Sequence, residues 1–215
     1  MKKLLLLFFT LIIPLSFLYC WKLKNNQYPK NDESFYFGLT QKLYVEFNHK
    51  STAEAIQNVY YFKNFKPILH PILAIPVLAL TDGDARLTIA IYTSIIYTIL
   101  LLICYLFLSR HLKQTAAAIG TIFIAFIPWI FGLQASFNSE ITFVTATLGL
   151  FYSVYDQTNF KNLKNSLLAG ASLSLMICLR PVETAMIGGL PVIIFIIYNY
   201  IKKEVSFNDL ILLLI

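Results

Sequence analysis

"DARLTIAIYTSIIYTILLLICYLFLSRHL", residues 84–112, decides the fold class: no side chain from Leu87 to Leu108 is charged, and charges stand at both ends. Such a run reaches the roughly 20 residues a helix needs to cross a bilayer. In hydrocarbon every backbone N–H and C=O must be satisfied within the segment, which a helix achieves. A membrane span is therefore expected over 87–108. Working outward, similar apolar runs occupy about 4–20, 115–133 and 140–155. "SLLAGASLSLMICL" (166–179) and "VETAMIGGLPVIIFIIYNYI" (182–201) read as a short and a longer span joined by "RPVE", with Gly170, the alanines and Ser172 and Ser174 permitting close helix approach. "PILHPILAIPVLAL" (67–80) is too short and too rich in proline for a crossing and reads as a re-entrant or interfacial piece. The closing "LILLLI" (210–215) stops inside an apolar run, so a longer protein is expected.

Composition agrees. The 215 residues are 58% hydrophobic and only 13% charged, more apolar than a soluble surface can cover. The expected class is all-α: a polytopic transmembrane bundle whose outer-face loop carries amphipathic juxtamembrane helices. The net charge of +6 does not indicate nucleic acid, because the basic residues sit mainly in short loops and no polar patch interleaves them with aromatics. Cys20, Cys104 and Cys178 all lie in apolar runs without metal-ligand spacing, which excludes a disulfide framework or zinc site as the organising element. The N-terminal "MKKLLLLFFTLIIPLSFLYCWK" has signal-peptide features, but no small-x-small site precedes Trp21, so an uncleaved first span is expected. Lys2 and Lys3, Arg110 and Lys113, Lys161 and Lys164, and Lys202 and Lys203 fall on one side of this layout, which assigns that side to the cytoplasm. Seven lysines and Arg86 in 21–86 pull the other way. Under this orientation 21–85, 134–140 and 180–183 share the outer face.

The acids of those outer stretches are the candidates for chemistry. Asn31-Asp32-Glu33 suits a helix start, where carboxylates complement the dipole and cap free N–H groups. Tyr36, Leu39, Leu43 and Phe47 then form an apolar stripe fit to lie in the headgroup layer. Asp32 reads equally well as an ordinary cap or as a functional acid. Glu140 opens another apolar run and has the same two readings. Arg180 and Glu183 interrupt an otherwise uncharged stretch, so they either mark a substrate path or pair with each other at i,i+3. Lys66 before Pro67 and His70 four residues on form a candidate polar face at the mouth of the proline-rich piece, where a lone histidine is more often a hydrogen-bonded interface residue than a ligand. No firm cofactor is indicated; a divalent cation held by His70 and the acids is compatible with the sequence, although no metal-ligand spacing marks one.

In order, the first span, Asp32-Glu33-x-x-Tyr36, "YFKNFKPILHPIL", the 84–112 span, Glu140 and "GASLSLMICLRPVETAMIGGLPVIIF" resemble the N-terminal half of the GT-C membrane glycosyltransferases. The resemblance is to the protein O-mannosyltransferase and aminoarabinose lipid A transferase group with its bacterial relatives, and it covers nearly all of 1–215, with 21–66 as the first extracytoplasmic loop. It implies a multi-pass enzyme of the bacterial plasma membrane that passes a sugar from a polyprenyl-phosphate donor to a lipid, glycan or protein acceptor at the outer face. It further implies Asp32 as catalytic carboxylate with Glu33 beside it, Glu140 as a second acidic position where several relatives carry Asp, and Lys66 and Arg180 at the carrier phosphate. His70, Glu183 and Tyr36 would support them, among membrane lipids and without nucleic acid. The competing readings are a transporter or flippase for lipid-linked sugars, with Arg180 and Glu183 lining the path, and a non-catalytic remnant.

Overall fold

The computed structural model describes residues 2–24, 32–49, 51, 54, 69–155, 163–189 and 193–194. The described elements are helical: α1 Lys2–Lys24, α2 Asp32–His49, α3 Leu69–Leu80, α4 Ala85–His111, α5 Gln114–Ala125, α6 Pro128–Ala135, α7 Ser139–Tyr155 and α8 Leu163–Leu179. A single turn, Pro181–Glu183, and a π-helical turn, Thr184–Gly189, follow α8. No strand occurs among the described residues. The chain divides into two compact units, 1–142 and 143–215.

Two described helices are long and apolar enough to cross a membrane, within α1 (Lys3–Lys22) and α4 (Ala85–His111). In α1, Leu4, Leu5, Phe8, Phe9, Ile12, Ile13 and Phe17 are exposed, as a lipid-facing surface requires. Its inner face meets α5 and α6: Phe17 lies edge-on to Phe126 and Phe131 at 5.2 and 5.6 Å, and Trp21 to Phe131 at 5.9 Å. Small residues make the approach close. Ala117 and Ala118 of α5 are buried with Tyr105 of α4 against Leu6, Leu7 and Leu108.

The expected span over 115–133 is two helices rather than one. Pro128 has no N–H and disfavours helical backbone at Ile127, so α5 ends at Ala125 and α6 begins with the proline. Tyr97 of α4, fully buried, donates its hydroxyl to the Ala125 carbonyl at 2.9 Å. The carbonyl that the break deprives of its helical partner is thereby satisfied.

The proline-rich piece is α3, twelve residues long, which at about 1.5 Å per residue falls well short of the hydrocarbon thickness. It returns into α4 through a tight turn in which Asp82 and Gly83 take positive φ (50° and 82°). Asp84 caps α4 by accepting from the backbone N–H groups of Arg86 and Leu87 at 2.8 and 2.9 Å. Helix α2 begins at Asp32, where its sequence places a start. Its apolar stripe meets protein: Leu39 and Leu43 are buried with Phe35 and Phe47 against Ile72 and Ile75 of α3.

In the second unit, Ala169 and Ser172 of α8 are buried, but the close approach lies at Gly188 rather than at the glycine of the 169–171 group. A Cβ on Gly188 would stand 2.6 Å from Met176 Cε, whereas one on Gly170 would meet nothing within 4 Å. The expected span over 182–201 opens with the Pro181 turn and the π turn; from 190 onward only residues 193–194 are described.

Candidate functional site

The acid-bearing start of α2 is tied to the start of α7 twice. The Glu33 carboxylate accepts the Phe137 backbone N–H at 2.9 Å, holding the two residues that lead into α7. One turn further along α2, the Tyr36 hydroxyl lies 3.2 Å from Ser139 Oγ. Both Tyr36 and Ser139 are buried. Glu140 is the second residue of α7, so the helix carrying Asp32 and Glu33 and the helix carrying Glu140 begin side by side. Two helix N-termini together favour negative charge through their dipoles.

Beneath these starts sits His70 of α3, fully buried. Its Nδ1 is 3.2 Å from both Thr142 Oγ1 and the Tyr92 hydroxyl. Three rings enclose the imidazole: Phe137 at 4.6 Å, Tyr92 at 5.1 Å and Tyr36 at 5.4 Å between centroids. Nε2 is buried without a hydrogen-bond partner among the described residues. The cost of charging an enclosed imidazole holds His70 far below its ordinary range, at about 3. His70 is thus a neutral strut that joins α2, α3, α4 and α7, not a surface group at the mouth of the proline-rich piece.

A cation unforeseen in the sequence completes this region. Lys22, in the last turn of α1, donates its ammonium to Thr93 Oγ1 of α4, and the Glu33 carboxylate acts on it electrostatically. Thr93, Tyr92, Ser139 and Thr142 were equally unforeseen as site-forming residues. For the α4 pair the signal was available: Thr88, Tyr92, Thr93 and Tyr97 recur at helical spacing within an apolar run, a polar seam that lipid would not reward.

In the second unit, Arg180 and Glu183 pair at 3.1 Å with both side chains partly exposed. Arg180 leaves the helical conformation just before Pro181, and Thr184 closes the turn by donating its hydroxyl and N–H to the Arg180 carbonyl at 2.6 and 2.9 Å. Lys66 and the Asp32 side chain lie outside the described residues. Among the described residues no group of three or more His, Cys, Asp or Glu side chains could hold a metal ion.

Comparison with known proteins places this arrangement. No curated protein and no solved structure matches the chain. Residues 65–215 match the family described as dolichyl-phosphate-mannose-protein mannosyltransferase, a GT-C type of membrane-integral protein whose membership implies glycosyl transfer from a polyprenyl-phosphate sugar. The match begins after Asp32, Glu33 and Tyr36, yet it takes in Phe137 and Ser139, to which α2 is bonded, and also His70, Tyr92, Glu140, Arg180 and Glu183. With more than half of its length matched, the chain belongs to the dolichyl-phosphate-mannose-protein mannosyltransferase family.

Proposed function

We propose that this protein transfers a sugar from a polyprenyl-phosphate carrier to a lipid, glycan or protein hydroxyl at the outer face of a bacterial plasma membrane, with inversion and with Asp32 as general base. The observation that carries the reading is the double tie between the α2 and α7 starts, Glu33 to the Phe137 N–H and Tyr36 to Ser139. It brings two acid-bearing helix starts together in a chain of this family.

The chemistry asks for little more. The acceptor oxygen forms a bond to the anomeric carbon as the bond from that carbon to the phosphate oxygen breaks. Its proton passes to the Asp32 carboxylate, and the carrier phosphate leaves as an anion. One base serves the acceptor, and the leaving phosphate needs positive charge more than a proton. A paired carboxylate of the glycosidase kind is therefore unnecessary. Glu33 is engaged by the Phe137 N–H, which suits holding the two helix starts in register rather than taking the proton. Glu140 would stand at the acceptor side. The family resemblance offers Lys66 and Arg180 as cations for the phosphate, and the Arg180 guanidinium is paired with Glu183 at 3.1 Å.

Asp32→Asn tests the base. In membranes containing the full-length protein, it should abolish transfer of labelled sugar from the polyprenyl-phosphate donor while membrane insertion is unchanged. Retained transfer would remove Asp32 from that role.

A further inference from the structure

Lys22 occupies a position that the ordinary roles of a span-end lysine do not explain. A lysine in the last turn of a helix complements the dipole there, and at a membrane boundary it extends its ammonium into water. Lys24, two residues on, is exposed and already does this. Lys22 instead turns inward and donates to Thr93, which is fully buried on the spanning helix α4. Thr93 cannot be the donor in that contact, because its own hydroxyl proton goes to the Ile89 carbonyl at 2.7 Å.

An ammonium has three N–H donors, and among the described residues Thr93 accepts one of them. Glu33 supplies a carboxylate field but spends an oxygen on the Phe137 N–H. Drawing an ammonium out of water costs several kcal/mol unless anions and acceptors replace its hydration. Lys22 is half-buried, and one hydroxyl and the Glu33 field replace the lost hydration only in part, which leaves N–H donors for a further anion at the end of the first span.

We propose that Lys22 binds the phosphate of the lipid-linked sugar donor. This rests on the reading of the site as one that binds that donor, and adds a cation that the family match, beginning at residue 65, does not include. Placed between Glu33 and the phosphate, the ammonium screens one anion from the other. It also fixes where the carrier's polar head stops against the first span.

Trp21, adjacent to Lys22, offers a local reporter, and Trp129 is the other of the two tryptophans. Full-length protein carrying Trp129→Phe, in phosphatidylcholine nanodiscs, is titrated with a short-chain polyprenyl phosphate, with the matching polyprenol and with phosphatidylglycerol. Trp21 fluorescence is followed. Polyprenyl phosphate should bind, Lys22→Met and Lys22→Gln should each weaken it at least about ten-fold, as losing a charge-assisted phosphate contact does, and Lys22→Arg should restore most of the affinity. The polyprenol should bind weakly and independently of residue 22. Binding by the wild type that is indifferent to Lys22→Met and Lys22→Gln overturns the assignment of Lys22 alone. An equal Lys22-dependent response to phosphatidylglycerol overturns the donor in favour of bulk anionic lipid. No binding of polyprenyl phosphate by the wild type overturns both this assignment and the donor site on which it rests.

Discussion

His70 shows how much one residue can determine. Its imidazole is packed against Tyr36, Tyr92 and Phe137 and bonded at Nδ1 to two hydroxyls, so protonation would place an unpaired charge in an aromatic cage. Burial lowers its folded value from 6.5 to about 3. For a base lowered by folding, the unfolded chain binds the extra proton between those two values, and stability falls as pH falls through that window. From pH 7 to pH 5 the loss should approach about 2 kcal/mol, the difference of about 1.5 pH units below the ordinary histidine value at 1.36 kcal/mol each. Thermal unfolding in detergent across that range measures it. His70→Gln keeps a hydrogen-bonding side chain without the titration, so its stability should respond less steeply to acid by that amount. A variant with the same acid slope as wild type would mean that His70 is not the residue being charged.

At the level of elements, the legible parts were those that periodicity and capping dictate. The uncharged run over 87–108 is α4, the Asn-Asp-Glu signal opens α2 at Asp32, and the proline-rich piece is the short α3. What the sequence concealed were contacts made across elements. The stripe of α2 is equally consistent with lipid or protein until α3 is seen beneath it, and hydropathy passes over Pro128 because Ile127 and Trp129 are both apolar. The engagement of Glu33 by the Phe137 N–H spans more than a hundred residues and leaves no local trace. The α5–α6 break carries its own prediction. Tyr97→Phe keeps the ring but leaves the buried Ala125 carbonyl without the donor it has at 2.9 Å. The cost should be about 1–3 kcal/mol, read as a lower unfolding midpoint in detergent with overall helix content retained by circular dichroism. An unchanged midpoint would show that the carbonyl finds another donor.

For the whole molecule, the proposed chemistry requires α2 and the α7 start to face away from the cytoplasm, and the charge pattern argues this with one conflict. Basic pairs at 2–3, 110–113, 161–164 and 202–203 agree, whereas the segment after the first span is lysine-rich. Orientation is set by lysines free to interact with the membrane surface near span ends, and Lys22, the nearest to the first span, is engaged by Thr93. That weakens the opposing vote at the position where it would count most. Two exposed positions decide it: Ser34 on α2, and Lys113 between α4 and α5. In full-length protein with Cys20, Cys104 and Cys178 replaced by serine, Ser34→Cys should react with a membrane-impermeant maleimide in intact cells. Lys113→Cys should react only after permeabilisation. The two positions stand at opposite ends of the apolar 87–108 run, α2 packing on α3, which turns into the start of α4, and Lys113 following its end. If α4 crosses the bilayer, the two cysteines must therefore label from opposite sides. Labelling of both from one side would deny that α4 crosses, and reversed labelling would turn the acid-bearing helix starts toward the cytoplasm.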